Sequence, residues 1–134
     1  MRPDRPKLVE RLNTSLGRDE FMPFAPIRRY GRGSPTMTVV YAADNALKNG
    51  APTAVHIDGT CRTQIVDKTV DPQLWHLLER AEEQGLPALI NTSFNLHGEP
   101  IVESPNDALR TFKAAKLDRL QLGSFLVERP GNET

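Results

Sequence analysis

Ala88-Leu89-Ile90 is a short apolar run that passes without a break into Asn91-Thr92-Ser93-Phe94-Asn95-Leu96-His97-Gly98-Glu99-Pro100-Ile101. The run has the length and composition of a buried strand, and amides, hydroxyls and a glycine follow it at once. A polar loop at the carboxyl end of a strand is where open α/β sheets bind ligands. This junction therefore favours a layered α/β domain and marks one end of its sheet as the place to look for chemistry.

A chain of 134 residues reads as one domain over 1–134, long enough to bury a core without covalent staples. The single cysteine, Cys61, excludes an internal disulfide. Nothing near the amino terminus has the apolar run of a leader or a membrane span, so a soluble cytoplasmic protein is expected. Seventeen Lys and Arg balance seventeen Asp and Glu, so the field that drives nonspecific nucleic-acid binding is missing. Aromatics make up only 6%, which also argues against a base-stacking platform. Arg28, Arg29 and Arg32 form the one basic cluster and read as a solvated loop.

Leu8, Val9, Leu12 and Leu16 recur at helical spacing with Gly17 as a stop, predicting a helix over 5–16. Residues 23–35, rich in Pro, Gly and Arg, read as a loop, and 37–41 as a strand. Residues 53–58 read as a second strand with Val55 and Ile57 on one face and His56 and Asp58 on the other. Gly59 breaks it, and 62–66 returns as its hairpin partner. Asp71-Pro72 is an N-cap with proline at the first helical position, and Leu74, Leu77, Leu78 and Ala81 form an apolar stripe ending before Gly85 and Pro87. Ser104-Pro105 with Asp107 is a capping-box variant for another helix, whose Ala108, Leu109, Phe112 and Ala115 face the core. Residues 120–127 close the chain as one or two strands around Gly123. The order of elements argues for α/β with a mixed sheet.

Three stretches could do chemistry. In His56-Ile57-Asp58-Gly59-Thr60-Cys61-Arg62-Thr63-Gln64, alternation puts His56 and Asp58 on one face while the turn presents Thr60 and Arg62, whose planar fork suits phosphate or carboxylate. The same residues also read as an Asp-Gly hairpin turn with an exposed arginine. In the 91–99 loop, Thr92, Ser93 and successive backbone N–H groups could nest an anion while Asn91 and Asn95 orient a base or carbonyl; ordinary turn and capping chemistry uses the same residues. In Arg18-Asp19-Glu20-Phe21-Met22-Pro23-Phe24-Ala25-Pro26, Arg18 either closes over a phosphate or is a surface residue.

Other sites fail on spacing. Gly31-Arg32-Gly33 lacks the third glycine and preceding strand of a dinucleotide fingerprint, and there is no Walker lysine-serine pair. His56, His76 and His97 with Cys61 have no metal spacing. His76 reads as a helix-surface residue, His97 as a possible ligand contact, and Cys61 has no activating base.

Residues 18–26, 56–64 and 91–101, in that order, resemble the carboxy-terminal domain of the O-carbamoyltransferases that act on antibiotics and nodulation factors. Leu117-Asp118 and Gly123-Ser124-Phe125-Leu126-Val127 match its closing strands, so the resemblance covers about 8–128. It implies a YrdC-like fold, a twisted mixed sheet flanked by helices, here truncated between Ile27 and Ser34, where the family has a helical segment. The threonylcarbamoyl-adenylate synthases of tRNA modification share that fold and a loop like Thr92-Ser93-Phe94-Asn95.

The resemblance implies binding of ATP and carbamoyl phosphate to form carbamoyl-adenylate, with Mg²⁺ accompanying the triphosphate. Arg18, Arg62 and Ser93 would be catalytic. His56, Asp58, Thr60, Asn91, Thr92, Asn95 and Gly98 would bind substrate or nucleotide, with no protein-held metal. A separate actin-like domain or subunit would pass the carbamoyl group to the acceptor hydroxyl, so this chain alone is expected to make the adenylate and not to modify an acceptor. Many members carry Lys or Arg between positions 13 and 18, where Thr14, Ser15, Leu16 and Gly17 supply no charge. That departure favours an alternative, a degenerate nucleotide-binding or interaction module. A stand-alone tRNA-modification synthase is a further alternative, opposed by the closer motif matches and the zero net charge.

Overall fold

The elements run α1 (Pro6–Leu16), β1 (Ala25–Arg28), β2 (Tyr41–Ala42), α2 (Asn45–Gly50), a 3-10 turn (Pro52–Ala54), β3 (Thr60–Cys61), β4 (Gln64–Ile65), α3 (Pro72–Glu83), β5 (Leu89–Asn91), α4 (Pro105–Ala114), β6 (Arg119–Leu122) and β7 (Phe125–Glu128). The computed structural model describes residues 1–18 and 24–130. The chain divides into two compact units, the first made of Met1–Val9 with Phe21–Thr92 and the second of Glu10–Glu20 with Ser93–Thr134.

The first unit carries the mixed sheet that the order of elements predicts: β4-β1-β5, with β1 parallel to β4 and antiparallel to β5. Its central strand lies in the stretch that reads as a loop. Pro26 can sit there because its partner Ile90 directs its N–H and C=O to Met1. Pro26 and Ile90 thus form a pair that needs no ladder hydrogen bond, and β4 starts pairing only at Ile27.

The expected strand over 53–58 does not form. Proline starts a 3-10 turn at Pro52, and Asp58-Gly59 closes a three-residue hairpin loop whose tip, Ile57, is fully exposed. Nor is 62–66 its hairpin partner: β3 pairs with β2, and β4 pairs with β1. Of the expected 37–41 strand only Tyr41 is extended in a sheet, as the first residue of β2 (Tyr41–Ala42), while the residues before it turn. The helix α2, which hydropathy does not announce, is set by Asp44, whose carboxylate accepts from the Leu47 N–H at 3.0 Å.

α3 forms as its cap predicts, with the Asp71 side chain accepting from the Leu74 N–H at 2.9 Å. Leu78 and Ala81 are buried, Leu74 packs beside them, and Leu77 lies at the rim of the stripe, 55% exposed. Ile27, Val66 and Leu78 form one core cluster; Ala43, Leu47, Ala51, Cys61 and Ala88 form another. Each large aliphatic side chain so buried is worth about 1.5–3 kcal/mol.

In the second unit, Ser104 caps α4 by accepting from the Asp107 N–H at 3.2 Å, and its hydroxyl donates to the Asp107 carboxylate at 2.6 Å. Ala108, Phe112 and Leu120 make the core, with Phe94, Val102, Leu109 and Val127 packed around them. β6 and β7 pair antiparallel around Gly123, as 120–127 predicts. No helix among the described residues is long and apolar enough to cross a membrane.

Candidate functional site

In the first unit, the hairpin loop gathers three of the sequence-assigned residues. The His56 N–H donates to the Thr60 carbonyl at 2.7 Å and the Gly59 N–H to the His56 carbonyl at 2.9 Å, while Gly59 takes φ +79°. This is a type I turn followed by a left-handed glycine, the usual three-residue hairpin solution. It folds Thr60 back over the loop: the Thr60 N–H and hydroxyl both donate to Asp58 Oδ1, at 2.9 and 2.6 Å, and His56 Nδ1 lies 3.0 Å from Thr60 Oγ1. The turn, and not strand alternation, brings His56, Asp58 and Thr60 together.

Because the single Thr60 hydroxyl proton goes to Asp58, His56 Nδ1 is the donor in its contact with Thr60. In the neutral ring Nε2 then carries the lone pair, and Nε2 is buried without a hydrogen-bond partner. The Thr60 hydroxyl first, and then the Thr60 N–H, hold the Asp58 carboxyl below its ordinary value. Asp58 is thus an anion that fixes a histidine through a threonine, two residues before the half-buried Arg62.

At one end of the sheet, Asn91 Nδ2 donates to Gln64 Oε1 at 2.7 Å and Gln64 Nε2 donates to the Pro35 carbonyl at 3.2 Å. Composition and spacing give Gln64 no role. Its place as last residue of the 56–64 motif was the only available signal, since a contact 27 residues apart in sequence exists only once β1 lies between β4 and β5. Gln64 also lines a pocket of about 550 Å³ with Ile65, Val66, Val70, Leu74 and the acidic Asp67 and Asp71. Thr69 holds the Asp67 carboxyl below its ordinary value, so this wall repels a triphosphate.

In the second unit, α1 ends in a Schellman motif: the Gly17 N–H donates to the Thr14 carbonyl at 3.3 Å and the Arg18 N–H to the Asn13 carbonyl at 2.9 Å, with Gly17 at φ +66°. The Leu16 carbonyl accepts from the His97 N–H at 2.8 Å. Arg18 and the polar loop are thus both anchored through backbone groups at the end of α1. Asn95 Nδ2 donates to the Leu96 and Glu99 carbonyls, both at 2.9 Å. The Glu99 N–H donates to the Leu96 carbonyl at 3.0 Å across a turn with Gly98 at φ +81°, the position where a type II turn requires glycine. Phe94 is drawn into the core, Thr92 is half-buried at the end of the first unit, and Ser93 is exposed. Residues 19–23 of the third motif lie outside the described residues.

Of the basic cluster only Arg32 is exposed in a bend as expected; Arg28 and Arg29 are held in ion pairs. Arg28 is 6% exposed and pairs with Asp44 at 2.7 Å, and a Cβ on Gly31 would run into its guanidinium. Arg29 pairs with Glu79 and Glu82, both at 2.7 Å, and stacks over Trp75 at 4.2 Å. Sequence reasoning missed these because the acidic partners come from distant helices. His76 sits on the α3 surface beside Glu79, and Cys61 is buried against Thr63. Among the described residues, no group of three or more His, Cys, Asp or Glu is placed to hold a metal.

The model of the carbamoyltransferase C-terminus matches residues 1–129. The chain is 35% identical over 125 residues to nodulation protein NolO of Bradyrhizobium diazoefficiens, covering 84% of this chain and 23% of that protein. An uncharacterized protein of Methanocaldococcus jannaschii is 36% identical over 131 residues, 90% of this chain and 25% of its own length. The 3'-hydroxymethylcephem-O-carbamoyltransferase of Streptomyces clavuligerus is 29% identical over 128 residues, again 90% and 25%. The chain spans about a quarter of the length of these relatives. With all three motifs inside the matched region, the chain belongs to the carbamoyltransferase C-terminus family.

Proposed function

We propose that this chain is the adenylate-forming module of a carbamoyltransferase, with a YrdC-like fold. Carbamoyl phosphate would be hydrolysed to carbamate and phosphate; a carbamate oxygen would then attack the α-phosphorus of ATP, forming carbamoyl-adenylate and expelling pyrophosphate. The barrier to such a step lies in charge on several phosphates and in holding the reactants in line. Arg62 would neutralise phosphate oxygens beside a hairpin whose side chains are locked, with His56 holding Thr60 in place, and Thr60 and Asn91 would offer ligand contacts. Thr92, in the same unit, would add a hydroxyl to these contacts; Arg18 and Ser93 would keep the roles that the family resemblance implies, a cation and a hydroxyl for phosphate oxygens. Mg²⁺ would arrive with the triphosphate and screen its charge.

The observation that carries this reading is the His56–Thr60–Asp58 network, which fixes Thr60 two residues before Arg62 in a motif inside the family match. The larger size of the relatives supports a partner domain, which would supply acceptor recognition. The test is ATP–pyrophosphate exchange with purified chain and Mg²⁺, beside an ATP titration. Exchange that depends on carbamoyl phosphate is expected; its absence despite ATP binding would overturn adenylate formation. A second reading, a binding module without turnover, is favoured by one observation: the last turn of α1 carries no basic side chain.

A further inference from the structure

We propose that Gln64 is a positioning residue that sets the direction of the Asn91 amide, and that Asn91 thereby selects a ligand bearing an N–H₂ group over one bearing a methyl in the same place. This rests on the adenylate-forming reading and adds to it which end of the carbamoyl group the protein reads.

The direction follows from a chain of donors and acceptors. The Pro35 main-chain carbonyl can only accept, so the end of Gln64 that meets it must be Nε2. The opposite end, Oε1, can only accept, so the end of Asn91 that meets it must be Nδ2. An amide has its oxygen and nitrogen on opposite sides. With Nδ2 turned toward Gln64, Asn91 Oδ1 faces away from it, from the carboxyl end of β5. Reversing Asn91 would set two oxygens against each other, and reversing Gln64 as well would set its oxygen against the Pro35 carbonyl. The main chain at Pro35 thus determines the polarity of a side chain on the far strand of the sheet.

An acceptor turned away from Gln64 recognises a donor. Carbamoyl phosphate and acetyl phosphate have the same shape and charge and differ in N–H₂ against CH₃, so an oriented Oδ1 binds the first and is left unpaired by the second. The arrangement discriminates between acyl phosphates without any charge that would also attract inorganic phosphate.

The test compares affinities of the full chain for phosphonoacetamide and acetonylphosphonate, stable analogues of the two acyl phosphates, by calorimetric titration, with amide spectra to check folding. The unaltered chain should prefer phosphonoacetamide by about tenfold, the equivalent of one hydrogen bond. Gln64→Glu still accepts from Asn91 and should keep that ratio even if both affinities fall. Gln64→Lys offers no acceptor and should bring the ratio to about one; Gln64→Met should do the same and serves if the lysine variant does not fold. An unchanged ratio in the lysine or methionine variant would overturn the role of Gln64, and no preference in the unaltered chain would overturn the selectivity of Asn91. An unaltered chain that binds neither analogue nor ATP would overturn the adenylate-forming reading itself, and the inference with it.

Discussion

The hairpin over 56–60 in the first unit and the loop over 94–99 in the second draw on the same small and polar residue types and use them in opposite ways. In the hairpin, side chains bond side chains: His56 to Thr60, and Thr60 to Asp58. In the loop, bonds end on the backbone: Asn95 on two carbonyls, and the His97 N–H on Leu16. The first pattern fixes the orientation and charge of side chains; the second fixes the path of the chain. Substitutions in and beside the hairpin should therefore change binding more than stability, and those in the loop should change stability more than binding.

The largest effect is expected at Arg62. Replacing Arg62 by alanine should weaken ATP binding about hundredfold, the scale of losing charge-assisted hydrogen bonds to phosphate. The melting temperature should shift little. Calorimetric titration against ATP with a parallel thermal melt gives both numbers, and unchanged affinity would remove the hairpin from the functional site.

Asn95→Ala tests the other side of the contrast. It leaves the Leu96 and Glu99 carbonyls without the amide that joins them, a cost of about 1–2 kcal/mol, read as a melting temperature lower by several degrees. ATP affinity measured below the melt should stay within about threefold. A variant with unaltered melting and lost binding would show that Asn95 serves the ligand and not the loop.

The same contrast explains what was legible in the sequence. Helices α3 and α4 and the end of α1 are written locally, in Asp71-Pro72, Ser104-Pro105 and Gly17, because capping bonds reach only three or four residues. The β5 junction was equally plain. β1 was hidden because Pro26 and a run of arginines resemble a loop, and only the pairing of Ile90 with Met1 makes proline harmless there. The hairpin misled in another way: Val55 and Ile57 alternate like a strand, yet Asp58-Gly59 turns the chain and exposes Ile57. His56, Asp58 and Thr60, singled out from the sequence, do meet, but Gln64 was not singled out, since its partner lies on a strand that does not follow it in sequence.

A smaller effect is expected where α4 ends. Lys116 takes φ +50°, with its N–H on the Lys113 carbonyl and the Leu117 N–H on the Phe112 carbonyl, the same cap that Gly17 gives α1. A side chain in that conformation costs about 1 kcal/mol. Lys116→Gly should stabilise the second unit by roughly 0.5–1 kcal/mol, seen as a higher denaturant midpoint with ATP affinity unaltered. A lower midpoint would mean that the lysine side chain contributes more than its backbone strain removes.

The finest test is a titration. Thr60 holds the Asp58 carboxyl below 3.8, its hydroxyl contributing most and its N–H next. A carboxyl depressed by folding contributes stability that is present above its unfolded value and is lost as pH falls through its folded value. Carboxyl carbon shifts followed from pH 6 downward should place the Asp58 midpoint below that of an ordinary aspartate. Thr60→Val removes the hydroxyl and keeps the N–H, so the midpoint should move up only part of the way, while His56 loses the oxygen that accepts from Nδ1. If the midpoint stays put in the valine variant, the hairpin is held by its backbone just as the 94–99 loop is, and the division between side chains fixed for chemistry and backbone fixed for shape does not hold.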